Sequence, residues 1–127
     1  MSTNGPQTLK LKLIDEHRIL DKAAGLNEPS GLTLNADGTA LYTVSDDTKA
    51  IFRIDLKGRL LIEDSFFVEV NDLEGIACSP DGSQLMVVEE RTNSIICIDQ
   101  KQRTTLHRST LSAMKNYKRI KEYFSGN

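Results

Sequence analysis

The sequence predicts a mainly β protein: two four-stranded antiparallel β-propeller blades, an incomplete propeller, followed by a C-terminal helix. Three observations lead to that class. Displacing the 127-residue sequence by 44 positions aligns residues 27–59 with 71–103 without a gap, and 12 of the 33 pairs are identical. Each copy carries Asp-Gly at the same place, Asp37-Gly38 and Asp81-Gly82, a hairpin signal because glycine accepts positive φ at no steric cost. Each copy then runs through short apolar stretches separated by polar turns. A four-stranded unit repeating every ~40–50 residues is the pattern of a propeller blade. A β-sandwich also has short, regularly spaced strands, but gives no reason for one turn and core pattern to recur at a fixed offset.

Residues 1–8 are polar and read as a flexible N-terminus, with the blades over 9–109. Leu9, Leu11 and Leu13 alternate with Lys10 and Lys12, the period of a half-buried strand, here the outer strand of a neighbouring blade. In the first copy, strands are expected over 30–35, 40–45 and 51–55, with a turn at 56–59 and a fourth strand near 60–62. In the second they fall over 74–79, 84–89 and 94–99. Gln102 stands where the first copy has Gly58, so the last turn is expected to differ. Leu111, Met114, Tyr117, Ile120 and Phe124 then recur at helical spacing. With Ser109 or Thr110 to cap the start and Gly126 beyond the end, they predict a helix over 110–124 within the tail 110–127.

Composition excludes several classes. Hydrophobic residues are 39% and charged residues 27%, neither disordered nor membrane-embedded. No apolar run approaches the ~18 residues of a spanning helix, and the polar start shows no signal peptide. Residues 1–100 hold 9 Lys/Arg against 17 Asp/Glu, whereas 101–127 hold 7 against Glu122 alone. Such an acidic body disfavours nucleic acid, whose phosphates need dense Lys/Arg. Cys78 and Cys97 fall on the first and third strands of one predicted sheet. Strands two apart are separated by about 9–10 Å, too far for a disulfide, so buried free thiols are expected.

Propellers have about four to eight blades, so two do not close a ring. The expectation is a truncated piece of a larger propeller, with open strand edges that allow self-association.

Residues 28–46, opening on Glu28, Pro29, Ser30 and Gly31, resemble the opening blade of the SdiA-regulated propeller family. Asp72, Leu73, Glu74, Gly75 and Ile76, followed by Val88, Glu89, Glu90 and Arg91, are similar to that family's next blade. The resemblance covers about residues 10–105 and allows a periplasmic or extracytoplasmic location. The same Glu-Gly-Ile element occurs in phytase-like esterase and gluconolactonase/regucalcin-like propellers. In the latter, a glutamate at the start of an inner strand binds a divalent cation in the central channel, and Glu74 matches it. The resemblance thus implies a divalent cation at Glu74. Carboxylates there suit Ca²⁺, the expected cofactor, and Asp72 and Glu90, nearby in sequence, join Glu74 as metal candidates. Glu28, Asp46, Glu89 and Arg91 are candidates to line the channel or hold a ligand.

The first copy has Ser30 where the second has Glu74, so the acid is not a constant of the repeat. The competing expectation is that these acids are solvated turn residues bonded to loop N–H groups. The sequence carries no nucleophile elbow, phosphate loop or histidine pair; His17 and His107 stand in separate segments. The first expectation is therefore a non-enzymatic binding module for a small ligand, a cation or a protein. A metal-dependent esterase or lactonase, with only part of its site here, is the second. A structural repeat that assembles through its edges is the third.

Overall fold

The computed structural model describes residues 8–45 and 47–110, together with Ser112 and Arg119. Strands β1 (Pro29–Leu34), β2 (Leu41–Ser45), β3 (Thr48–Ile54) and β4 (Phe66–Phe67) form one antiparallel sheet in that order. Strands β5 (Leu73–Cys78), β6 (Gln84–Glu89), β7 (Ser94–Asp99) and β8 (Thr104–Thr110) form a second with the same order. The sheets are the two sequence copies. Gly38 (φ 73°) and Gly82 (φ 77°) turn β1 into β2 and β5 into β6, as their Asp-Gly pairs predict. Cys78 and Cys97 lie on β5 and β7, both free and half-buried. No helix among the described residues is long and apolar enough to cross a membrane.

Period-two patterning explains how the sheets meet. Along β6, Leu85, Val87 and Glu89 are buried while Met86 and Val88 are exposed. Leu85, Val87, Ile96 and Ile98 thus form one apolar face, which packs on Tyr42, Val44, Ile51 and Phe66 of the first sheet. Val68 and Val70 of the connecting segment, with Leu73, complete this core. A second, smaller core lies on the far face of the first sheet. There Leu26, Ala50, Phe52 and Ile54 meet Ile19, Ala24, Leu41 and Leu60. The segment before β1 is folded back for this purpose, with Asp21 and Leu26 exchanging backbone hydrogen bonds of 2.7 and 2.9 Å.

The innermost strands, β1 and β5, approach backbone to backbone. A Cβ on Gly31 would lie 3.0 Å from Gly75 Cα and 3.1 Å from the Glu74 carbonyl oxygen, so no larger residue fits without separating them. The Ser30 hydroxyl donates to the Leu73 carbonyl at 2.8 Å and the Cys78 N–H donates to Thr33 Oγ1 at 3.3 Å, tying the strands side by side.

Three expectations are corrected or refined. Residues 9–13 are not a strand, and Leu9, Leu11 and Leu13 are exposed. Alternation alone makes no strand where no neighbouring strand pairs with it. The fourth strand of the first sheet lies at Phe66–Phe67 rather than near 60–62. Leu60 makes a single bridge to Ile54, after which a short 3₁₀ turn, Ile62–Asp64, diverts the chain. The Ser65 hydroxyl then accepts from the Arg53 N–H at 2.9 Å, in place of a ladder carbonyl. The last turns differ as Gln102 suggests: the left-handed residue is Gly58 (φ 83°) in the first copy and Arg103 (φ 60°) in the second. The flexible terminus read over 1–8 and the helix read over 110–124 lie almost wholly outside the described residues.

Candidate functional site at the inner-strand end

Antiparallel pairing sorts the loops into two ends. The starts of β5 and β7 and the ends of β6 and β8 come together, since Leu73 pairs with Glu89, Glu89 with Ser94 and Ser94 with Thr110. Asp72, Glu74, Glu89, Glu90 and Arg91 therefore share one end of the second sheet. Glu28, exposed just before β1, takes the matching place in the first. Asp46 lies outside the described residues. The Asp-Gly turns occupy the opposite end.

Glu74 sits in a β-bulge. The register of β5 on β6 shifts between Leu73 and Gly75, and that of β1 on β2 shifts between Pro29 and Gly31. Glu74 and Ser30 are therefore the extra residues at equivalent points of the two inner strands. A bulge of this kind re-aims a side chain at a sheet's rim. Glu74 is half-buried there and has an interaction partner.

Glu89, by contrast, is turned inward and only 3% exposed. Its Oε1 accepts from the Thr92 hydroxyl at 2.6 Å and from Arg108 Nη1 at 2.9 Å, and its Oε2 accepts from the Asn71 N–H at 2.9 Å. The Thr92 hydrogen bond above all, helped by Arg108 and the Asn71 N–H, lowers its pKa to about 2 despite burial. This carboxylate joins the entry to β5, the β6–β7 turn and the outermost strand β8. Asp72 has φ 51° and accepts from Arg91 Nε at 3.0 Å. Its carbonyl also accepts from the Glu90 N–H at 3.1 Å, which holds the β6–β7 turn against the entry to β5. Glu90 itself is exposed.

The structure thus brings six of the sequence-predicted residues to one end, with different duties. Glu89 and Asp72 spend their oxygens on protein donors, whereas Glu74 stands at the bulge and Glu90 on the rim. Among the described residues, no three His, Cys, Asp or Glu side chains gather closely enough to hold a metal ion. Ca²⁺ takes six to eight oxygens, backbone carbonyls and waters among them, so the described acids would be only part of such a set. His17 is bonded to Asp15 and His107 to Ser109, each within its own segment. Sequence reasoning missed Asn71, Thr92 and Arg108, which fix Glu89. The identity of Thr92 with Thr48 marked a structural position, but the two hydroxyls serve different ties, Thr48 donating to the Gly25 carbonyl at 2.8 Å and Thr92 to the Glu89 carboxylate.

Several solved structures resemble this arrangement. Kuenenia stuttgartiensis hydrazine synthase matches with a TM-score of 0.55 and 19% identity over 78% of this chain. A nidogen/laminin complex matches with a TM-score of 0.53 and 20% identity over 65% of it. Kluyveromyces lactis Hsv2 matches with a TM-score of 0.52 and 13% identity over 66%. The chain spans only 26%, 30% and 24% of those chains, respectively. At such identities the likeness shows the fold alone: the two sheets are β-propeller blades. No curated protein matches the chain. The SdiA-regulated family model matches residues 12–122, nearly the whole sequence and both blades, and the chain belongs to the SdiA-regulated family.

Proposed function

We propose that the chain is a non-enzymatic propeller binding module whose ligand meets the inner-strand end at Glu74. The observation that carries this reading is the paired bulge. Both blades build the same out-of-register position at the start of the inner strand, and only the second fills it with a carboxylate. Glu90 stands exposed at the same end, and the Asp72–Arg91 ion pair borders it. A carboxylate at the bulge suits a small ligand with hydrogen-bond donors or a cationic group. A divalent cation is the alternative occupant. It would need oxygens beyond those the described acids bring together.

Acid–base catalysis is disfavoured by the same geometry. Glu89 and Glu90 leave the end of β6 in different environments, one buried and one exposed. Glu89, held ionised down to about pH 2, is a poor proton donor or acceptor near neutrality.

The test is amide chemical-shift mapping with a panel of small amines and polyols, and separately with Ca²⁺, on the wild type and Glu74→Gln. The expected result is saturable shifts at Asp72, Glu74 and Glu90 with a panel member, absent in Glu74→Gln. A saturable response to Ca²⁺ alone would transfer the site to a cation. Shifts that Glu74→Gln leaves intact would remove Glu74 from the binding surface.

A further inference from the structure

The opposite end of the blades holds a cleft that this reading does not use. It opens between the two sheets, has a volume of about 560 Å³, and is lined by Tyr42, Arg53, Phe66, Gln100, Lys101 and Arg103 among others. That volume falls within the ~300–1,000 Å³ of small-molecule sites.

Three features give the cleft a chemical preference. Among the described residues, no carboxylate lies within 4.0 Å of Arg53, Lys101 or Arg103, the ion pairs there being made by other residues. Two of these cations are set against aromatic faces, Arg53 at 5.7 Å from the Tyr42 ring centre and Arg103 at 5.2 Å from that of Phe66. Such stacking limits the guanidinium's motion, and although Arg103 Nη2 donates to the Glu63 carbonyl at 3.4 Å, its remaining N–H groups can meet a planar or tetrahedral anion. Finally, Arg53 Nε and Gln100 Oε1 are buried and have no hydrogen-bond partner, although Gln100 Nε2 is bonded to the Tyr42 hydroxyl. A buried donor and a buried acceptor left unpaired in one cleft wall call for a partner that can both accept and donate.

Three acids also line the cleft. Asp81 accepts from the hydroxyls of Ser79 and Ser83 and the Ser83 N–H, and Asp99 accepts from the Gln102 N–H at 2.6 Å. Both are tied into their own turns but stay anionic, Asp81 with its pKa lowered to about 2 by the Ser83 and Ser79 hydrogen bonds. With Asp64, all three acids therefore oppose an anion, and the two stacked guanidiniums with Lys101 have to outweigh them.

We propose that this cleft binds a small organic anion that also carries a hydroxyl group, a hydroxy acid or a sugar phosphate. Its anionic group lies against Arg53 and Arg103, with Lys101 adding charge. The stacked Arg53 guanidinium keeps its place against the anion, and a turn of the Gln100 amide presents Oε1 to the hydroxyl.

Calorimetric titration with citrate, glucose 6-phosphate and inorganic phosphate at matched ionic strength tests the assignment. The expected result is saturable binding of citrate or glucose 6-phosphate, tighter than that of inorganic phosphate. The preferred probe separates the hydroxy acid from the sugar phosphate. Arg103→Gln and Lys101→Gln, both at exposed positions, are each expected to weaken binding at least tenfold. Asp64→Asn should tighten it, and Lys22→Gln, a charge loss elsewhere, should leave it unchanged. Absence of saturable binding would overturn the proposal, as would binding that Arg103→Gln and Lys101→Gln leave intact. Inorganic phosphate binding as tightly as the organic anions would overturn the hydroxyl contact.

Discussion

Glu89 shows how a residue that looks functional in sequence is used for cohesion. Three donors from three separate segments converge on its carboxylate, and its pKa falls from 4.5 to about 2. A carboxylate bound more tightly as the anion in the folded state stabilises that state above its unfolded value, near 4.5. The contribution is lost as pH falls toward about 2. Glu89→Gln is therefore expected to lower stability at pH 7 by about 2 kcal/mol, the scale of hydrogen bonds to a charged group. It should also flatten the fall in stability between pH 4.5 and 2. Urea unfolding of both proteins across that range checks both effects. The sequence showed that an acid replaces Ser45 at this position. It gave no sign that the acid is inward, because its donors come from residues 18 positions before it and 19 after it as well as from the adjacent turn.

At the level of elements, the two blades differ most in their outer strands. Strand β8 pairs with β7 along its whole length, whereas β4 pairs with β3 only at Phe66 and Phe67. Local opening is easiest where few ladder bonds must break. The β3–β4 ladder is thus expected to exchange its amide protons faster than the β7–β8 ladder, as NMR-monitored hydrogen exchange would show. The repeat made the inner three strands of each blade legible, since identical residues such as Leu41/Leu85 and Ile51/Ile95 mark the same pairing register. It misplaced the fourth strand of the first blade. The chain there departs from the repeat, and the Ser65 hydroxyl that satisfies the Arg53 N–H leaves no periodic trace. The alternation of Leu9, Leu11 and Leu13 misled for the complementary reason: pattern is local, but pairing needs a neighbour.

For the whole molecule, the decisive contact is the face-to-face core shared by the blades. Leu85 is fully buried in it, against side chains from the first sheet. Leu85→Ala is expected to cost about 2–5 kcal/mol. Because the core is common property, both blades should unfold together in one transition, seen as coincident loss of near- and far-ultraviolet circular dichroism. Two independent transitions would show that the blades are separately stable. Along β6 the sequence shows only a continuous apolar run, Leu85 to Val88, and the alternation in burial appears in the fold. Which face meets the first blade was not legible, because Val87 and Val88 are equally apolar and only packing distinguishes them.

The bulge shared by Ser30 and Glu74 has a further consequence. A residue outside the ladder register can give its side chain to other work, as Ser30 does by tying β1 to Leu73 of the next blade. Gly31 and Gly75 keep the inner strands in place on either side of an exchange from serine to glutamate. The scaffold thus offers an interchangeable socket per blade, so that duplication of the fold multiplies positions where chemistry can change while the architecture stays fixed.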